Sequence, residues 1–171
     1  MRQLALLALL AGTAAHAQYY PPDSQAKFGM VDTRASLVQY LAEPVAIEAG
    51  KPQEIELHFR TNKGFHINSH SPNSSELIPT TLTMQTVPGI KAGKVEYPAG
   101  TSYAFPFAPK NKLNVYTGDF VVKVRMTAEH AGNFTLNGSV RYQACDNMQC
   151  YPPQNLSVTV PITARPPSLY Q

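Results

Sequence analysis

The sequence predicts an all-β domain, specifically an immunoglobulin-like antiparallel β-sandwich. Apolar and polar residues alternate in several short segments, for example where Ile55, Leu57 and Phe59 are set between charged or polar neighbours. Turn signals recur about every ten residues, which is the spacing of short strands in a sandwich. The 15 prolines and 10 glycines supply those turns and leave no convincing helical pattern. Because the chain has no Trp and its two cysteines are close in sequence, only the architecture of antibody domains is predicted.

We expect about seven to nine strands. The segments with strand patterns are, in chain order, 54–60, 65–68, 80–87, 95–97, 113–116, 120–126, 134–142 and 156–162. Turn sequences such as Asn62-Lys63-Gly64 and Thr117-Gly118-Asp119 separate them. Residues 37–42 are apolar but end at Glu43-Pro44, which disfavours a long helix. Residues 100–112 show no alternation, so we predict a loop, although an unusually aromatic one.

The ends of the chain have a different character from the middle. Residues 1–17 predict a signal peptide, with Arg2 before an apolar stretch and Ala15-His16-Ala17 as the cleavage site. We expect an N-terminal arm at 18–36, the sandwich at 37–164 and a tail at 165–171. The later sequence contains no apolar run of the roughly 18 residues that a transmembrane helix needs. The expected product is an exported domain that does not span the membrane.

Charge argues against two kinds of partner. Without Arg2, 13 of the 14 basic residues remain against 11 acidic ones, a formal charge of +2. This small excess, with no basic cluster, does not favour binding to nucleic acid or to a membrane surface.

The two cysteines, Cys145 and Cys150, form the most informative motif. They lie on a predicted turn between strands, and Tyr142 and Tyr151 flank them. Export places them where disulfides persist. A ring this short stabilises the fold by only about 2 kcal/mol. The spacing alone leaves open whether the disulfide is structural or takes part in thiol–disulfide exchange.

The surrounding residues resemble a known family. Tyr142-Gln143-Ala144-Cys145 and Cys150-Tyr151-Pro152-Pro153 are similar to the cysteine signature of the N-terminal periplasmic domain of DsbD thiol:disulfide interchange proteins. Gly64 to Asn68, Tyr97 to Gly100 and Val115 to Gly118 support the resemblance, which covers roughly residues 47–162. It implies an immunoglobulin-like sandwich that relays electrons as a protein-disulfide reductase. The chain resembles a free-standing copy of that domain.

The resemblance also implies roles for individual residues. Cys150 would form the mixed disulfide with partners and Cys145 would resolve it, with no cofactor beyond this redox-active disulfide. Tyr103 and either Phe105 or Phe107 would belong to a cap loop that shields the sulfurs. The remaining residues expected near the disulfide are His66, Asn68, Tyr142 and Tyr151. The family's cap carries acidic residues, whereas residues 101–112 contain none.

The implied partners are thioredoxin-fold proteins of the periplasm, such as a disulfide isomerase or cytochrome c maturation proteins. A separate membrane protein would donate the electrons.

Two other interpretations remain open. The chain could be an exported immunoglobulin-like binding module with a purely structural disulfide, and the aromatic loop could be a satellite core. A copper carrier using His66, His70, Met84 and Met148 is less favoured. Residues four apart on one strand are about 13 Å apart, which is too far for His66 and His70 to share one ion.

Overall fold

The computed structural model describes residues 36–168 of the 171-residue chain. The predicted signal peptide, nearly all of the predicted arm and the last three residues of the predicted tail lie outside the described residues. The described residues form twelve strands: β1 Val38–Leu41, β2 Val45–Glu48, β3 Gln53–Thr61, β4 His66–Asn68, β5 Thr81–Met84, β6 Ile90–Glu96, β7 Thr101–Tyr103, β8 Leu113–Tyr116, β9 Asp119–Ala128, β10 Gly132–Tyr142, β11 Ala144–Cys145 and β12 Gln154–Arg165.

The first sheet has the strand order β1-β3-β9-β6. Its central pair, β3 and β9, is antiparallel, and Leu57 faces Val122 across it. Both side chains are 1% exposed. On the outer face, the ammonium group of Lys123 lies 2.8 Å from a carboxylate oxygen of Glu54. The period-2 pattern therefore places an apolar face inward and a charged face outward, as the sequence predicts.

The second sheet has the order β2-β12-β10-β5. β10 pairs with β12 along the whole length of β10, from Gly132 opposite Ala164 to Tyr142 opposite Gln154. Alternate residues of β12, such as Val160, are buried, whereas neighbours such as Thr159 are exposed. The buried faces of the first and second sheets supply most of the apolar core.

The third sheet is small and carries the cysteines. Its order is β11-β4-β8-β7. Ile67 at the centre of β4 pairs with Ala144 on one side and with Tyr116 on the other. Cys145 is therefore attached to the domain through β4. Gly64, which has a φ of 87°, forms the turn that leads into β4.

The all-β, immunoglobulin-like class is confirmed. Four short strands, β1, β2, β7 and β11, were not predicted, so the count of seven to nine was too low. The prediction of a loop throughout 100–112 was wrong at β7, which pairs with β8. β2 and β12 run parallel, whereas the other strand pairs within residues 36–168 are antiparallel. β12 ends at Arg165.

Candidate functional site

The two cysteines are joined in a disulfide at the edge of the third sheet. Their Cα atoms are 3.9 Å apart, and the two residues form an antiparallel bridge. The amide of Tyr151 donates a 2.8 Å hydrogen bond to the carbonyl of Ala144, which closes the turn behind the disulfide. Cys145 is 0% exposed, whereas Cys150 is exposed. The two halves of one disulfide therefore differ in their access to solvent.

Asp146 organises the ring between the cysteines. Its Oδ1 accepts hydrogen bonds from the amides of Met148 (2.7 Å) and Gln149 (2.9 Å), and its Oδ2 accepts one from the hydroxyl of Tyr151 (2.6 Å). The hydrogen bond from Tyr151 is the largest cause that lowers the pKa of Asp146, and the two amides add to it. A negative charge is thus held beside the disulfide at neutral pH.

Asp146 was missed by sequence reasoning. The available signal was an aspartate directly after Cys145, at a position where its side chain can bond backbone amides two and three residues on. The family's acidic cap residues are absent from 101–112, but the structure supplies a carboxylate from inside the ring.

His66 lies directly opposite Cys145 in the pairing of β4 with β11. It is only 2% exposed, and its Nε2 has no hydrogen-bond partner. Burial lowers the pKa of His66, while the charge of Asp146 acts in the opposite direction. The imidazole is therefore held in its neutral form at neutral pH.

Residues 101–112, which we call the cover segment, place their aromatic rings against His66. The ring of Tyr103 lies 4.0 Å from the imidazole, centroid to centroid, and the ring of Phe105 lies 5.8 Å from it. The Tyr103 hydroxyl also donates a 2.8 Å hydrogen bond to Oδ1 of Asn147, inside the disulfide ring. Phe107 stacks on Phe105 at 5.0 Å and is 65% exposed. Tyr103 and Phe105 thus form the inner layer of the cover segment, and Phe107 the outer one.

Three further residues were expected near the disulfide, and each of them lies in a different environment. Tyr151 packs its ring 6.0 Å from that of Phe65 and, as described, bonds into the disulfide ring. Asn68 is fully buried and donates hydrogen bonds from Nδ2 to the carbonyl of Ile78 (3.0 Å) and to Oε1 of Gln143 (3.2 Å). Asn68 therefore helps to hold Gln143, two residues before Cys145, in place.

Tyr142 is fully buried, and its hydroxyl points toward the start of β1. The hydroxyl accepts a 3.1 Å hydrogen bond from the amide of Leu37 and donates a 2.6 Å bond to Oε1 of Gln154. This tyrosine therefore anchors the end of β10 to its neighbours.

The histidines and methionines named in the copper interpretation lie in different environments. His70 stacks on Tyr97 at 3.7 Å, and its Nδ1 lies 2.9 Å from the carbonyl of Thr80. Met148 is 77% exposed within the disulfide ring. Within residues 36–168, no three or more His, Cys, Asp or Glu side chains are grouped closely enough to hold a metal ion.

Comparison with known proteins shows the family of this chain. Residues 35–162 match the family described as "Thiol:disulfide interchange protein DsbD, N-terminal". The chain belongs to this family. No curated protein matches the chain.

Solved structures of ScsB and DsbD N-terminal domains are similar to this chain at low sequence identity. The N-terminal periplasmic domain of ScsB from Proteus mirabilis is 14% identical with a TM-score of 0.48; the match covers 73% of this chain and 51% of that one. The reduced DsbD N-terminal domain from Neisseria meningitidis is 16% identical, with a TM-score of 0.38 and coverage of 61% and 73%. The complex of the DsbD and PilB N-terminal domains from Neisseria meningitidis is 15% identical with a TM-score of 0.39. That match covers 62% of this chain and 73% of the other one. The chain therefore spans about half the length of the ScsB domain.

Among residues 36–168, the structure has no helix long and apolar enough to cross a membrane.

Proposed function

We propose that this domain carries out thiol–disulfide interchange through Cys145 and Cys150 and relays electrons between thioredoxin-fold proteins of the periplasm. Membership of the DsbD N-terminal family supports this function. The observation that carries it is the asymmetry of the disulfide, in which Cys150 is exposed and Cys145 is 0% exposed. Thiol–disulfide exchange needs one accessible cysteine to meet the partner's thiolate, and Cys150 is the exposed one of the pair.

The asymmetry sets the order of the bond changes. Thiol–disulfide exchange begins with a thiolate attacking an accessible sulfur. The thiolate of a reduced partner attacks Cys150, so that a partner–Cys150 bond forms and the Cys145–Cys150 bond breaks. Cys145 leaves as a thiolate and takes up a proton.

The second half of the exchange releases the partner. The partner's other thiol loses its proton, attacks the partner sulfur of the mixed disulfide and displaces Cys150. The partner leaves as a disulfide, and the domain retains two thiols and the two electrons. The same steps in reverse reduce the next protein.

The cover segment has a defined part in this cycle. Tyr103 and Phe105 pack against the histidine opposite Cys145, and Tyr103 is hydrogen-bonded to the disulfide ring. These contacts cover the disulfide on the side of His66 and narrow the approach of small thiols, and a docked partner displaces them. This is the behaviour of a lid that sequesters a reactive group.

The proposed partners follow from the family. A membrane protein supplies the electrons, and a disulfide isomerase or a cytochrome c maturation protein of the thioredoxin fold receives them. The redox-active disulfide is the only redox group that the relay requires. The assignment to the periplasm agrees with the predicted export.

A trapping experiment tests the order of attack. Cys145→Ser, with Cys150 first converted to its mixed disulfide with thionitrobenzoate, should exchange that group for a stable covalent adduct with reduced thioredoxin that keeps only its attacking cysteine. Neither protein then has a second thiol that could break the bond. Cys150→Ser should form little adduct, because its remaining thiol is buried. Non-reducing gel electrophoresis measures the adducts. Equal trapping by the two variants would contradict the proposed role of Cys150.

The reduction potential separates a relay from a structural staple. We expect equilibration of the folded protein with glutathione buffers to give about −180 to −270 mV, the range of known exchange proteins. A potential below about −300 mV would instead mark a structural disulfide. It would favour the exported binding module.

A further inference from the structure

His66 is an exception to the way buried polar groups are normally satisfied. Three buried side-chain polar atoms in residues 36–168 have no hydrogen-bond partner, and the one on a titratable side chain is Nε2 of His66. Leaving such an atom unpaired in a buried place costs free energy, so it calls for a functional explanation. The residue is 2% exposed, which leaves its imidazole almost no access to solvent water.

The strand register places this imidazole beside one particular sulfur. Cys145 and His66 are directly opposite each other in an antiparallel pair. Side chains of such a pair point to the same face, with Cβ atoms about 4.5–5.5 Å apart. His66 and Cys145 are therefore nearest cross-strand neighbours, whereas Cys150 lies on the exposed side of the ring.

Cys145 needs a proton acceptor. A cysteine attacks a disulfide as the thiolate, and burial in apolar surroundings raises the pKa of its thiol. Cys145 is 0% exposed, so bulk water cannot easily take its proton. The titratable or charged groups that face His66 are Cys145 from β11, Tyr103 from β7 and Asp146 from the disulfide ring.

The charge of Asp146 makes His66 suitable for this purpose. The neutral imidazole has one nitrogen that can accept a proton. Once protonated, the imidazolium lies in the field of the Asp146 carboxylate, which favours the charged form. Tyr103 and Phe105 close the other side of the ring and exclude water from the transfer.

We propose that His66 accepts the proton of the Cys145 thiol in the resolving step of the exchange, an inference that rests on the function proposed above. In the mixed disulfide between Cys150 and an oxidised partner, the Cys145 proton moves to Nε2 of His66. The Cys145 thiolate then attacks the sulfur of Cys150. The Cys145–Cys150 bond forms, the bond from Cys150 to the partner breaks, and the partner's sulfur leaves as a thiolate with two electrons. The imidazolium then gives the proton to the departing partner thiolate, which restores the neutral imidazole. In the opposite direction, the proton of the attacking partner thiol passes to His66 and from there to the Cys145 thiolate.

The test separates the two chemical steps with dithiobis(nitrobenzoate) as the probe. When the reduced protein meets this reagent, attack by Cys150 releases one thionitrobenzoate and leaves another bound as a mixed disulfide. Attack by Cys145 then releases the second. Stopped-flow absorbance records both phases. We expect His66→Gln to slow the second phase about 100-fold at pH 7, the order of a general-base contribution, and to leave the first phase unchanged.

A control and a second measurement keep the test decisive. His70→Gln removes another histidine, which stacks on Tyr97, and should change neither phase. In the unmodified protein, the second phase should be independent of pH across the neutral range and fall at acidic pH as His66 becomes protonated. This profile does not depend on how well the variant folds.

The outcomes distinguish this inference from the function on which it rests. An unaltered second phase in folded His66→Gln, or a second phase in the unmodified protein that rises tenfold per pH unit through neutrality, would overturn the role of His66. The exchange function would still stand. If the reduced protein gave no fast first phase, the proposed function itself would fail.

Discussion

β12 and β4 both place side chains in the interior, but they bury different kinds of group. The buried positions of β12 are apolar, and exposed polar residues alternate with them. All three residues of β4 are buried, and two of them, His66 and Asn68, are polar. Each of those two also carries a polar atom without a hydrogen-bond partner. The two large sheets thus stabilise the fold, whereas the small third sheet buries polar side chains beside the disulfide at some cost in stability.

The largest expected effect is on the free energy of unfolding, at a core residue of the large sheets. Leu136 on β10 is 1% exposed, so Leu136→Ala should lower the free energy of unfolding by about 2–5 kcal/mol through lost burial and a cavity. The reduction potential of the disulfide should not change. Urea denaturation and glutathione titration measure the two quantities. Thr135→Ala, at the exposed neighbouring position, should stay within about 0.5 kcal/mol. A large shift in potential would show that the core and the site are not separate.

A smaller effect is expected at Asp146, inside the disulfide ring. Asp146→Asn should cost about 1–2 kcal/mol at pH 7, because it weakens charge-assisted hydrogen bonds from Tyr151 and two amides. The pKa of this carboxyl is lowered in the folded protein. Its contribution to the free energy of unfolding is therefore fully present above the unfolded pKa of about 3.9, and it is lost as the pH falls through the folded pKa.

The pH dependence provides the check on Asp146. The gap in unfolding free energy between the unmodified protein and Asp146→Asn should narrow from pH 7 to pH 2. Asp119→Asn, which breaks an exposed pair with Arg60, serves as the control and should have a smaller effect. A gap that stays constant over this range would mean that the charge of Asp146 does not stabilise the ring.

The smallest effect concerns the cover segment. Tyr103→Phe removes one hydrogen bond to Asn147 while keeping the ring against His66. A typical hydrogen bond contributes about 1 kcal/mol, so dithiothreitol should reduce the disulfide about 2–10 times faster. Tyr97→Phe, whose hydroxyl bonds the amide of Leu82 instead, should leave the rate unchanged. An unchanged rate in Tyr103→Phe would mean that this contact does not restrain the cover segment.

The same contrast explains what the sequence could reveal. β3, β9, β10 and β12 each have one face in the core and one toward solvent, so their alternation is visible in the residues. β7 and β11 have only three and two residues, so they carry almost no period-2 signal. The strand at 65–68 was predicted from the turn before it, although β4 is buried at every position. The cysteine pair was visible in the sequence itself, whereas the expectation that His66 lies near it came from the family resemblance.

Other features of the site depend on contacts that the residue order does not encode. The difference in exposure between Cys145 and Cys150 arises because β11 pairs with β4, a strand about 80 residues earlier in the chain. The parallel position of β2 beside β12 joins segments more than one hundred residues apart. Local patterns carry no information about such long-range pairing.

The single exposed cysteine also restricts the kinetics of the proposed relay. Because Cys145 is buried, electron donors and electron acceptors must both react with Cys150. A donor and an acceptor therefore cannot be engaged at once, and the domain should follow a ping-pong scheme in which each partner is a competitive inhibitor of the other. Its throughput in the cell would depend on how quickly each partner departs, which favours brief encounters over tight complexes.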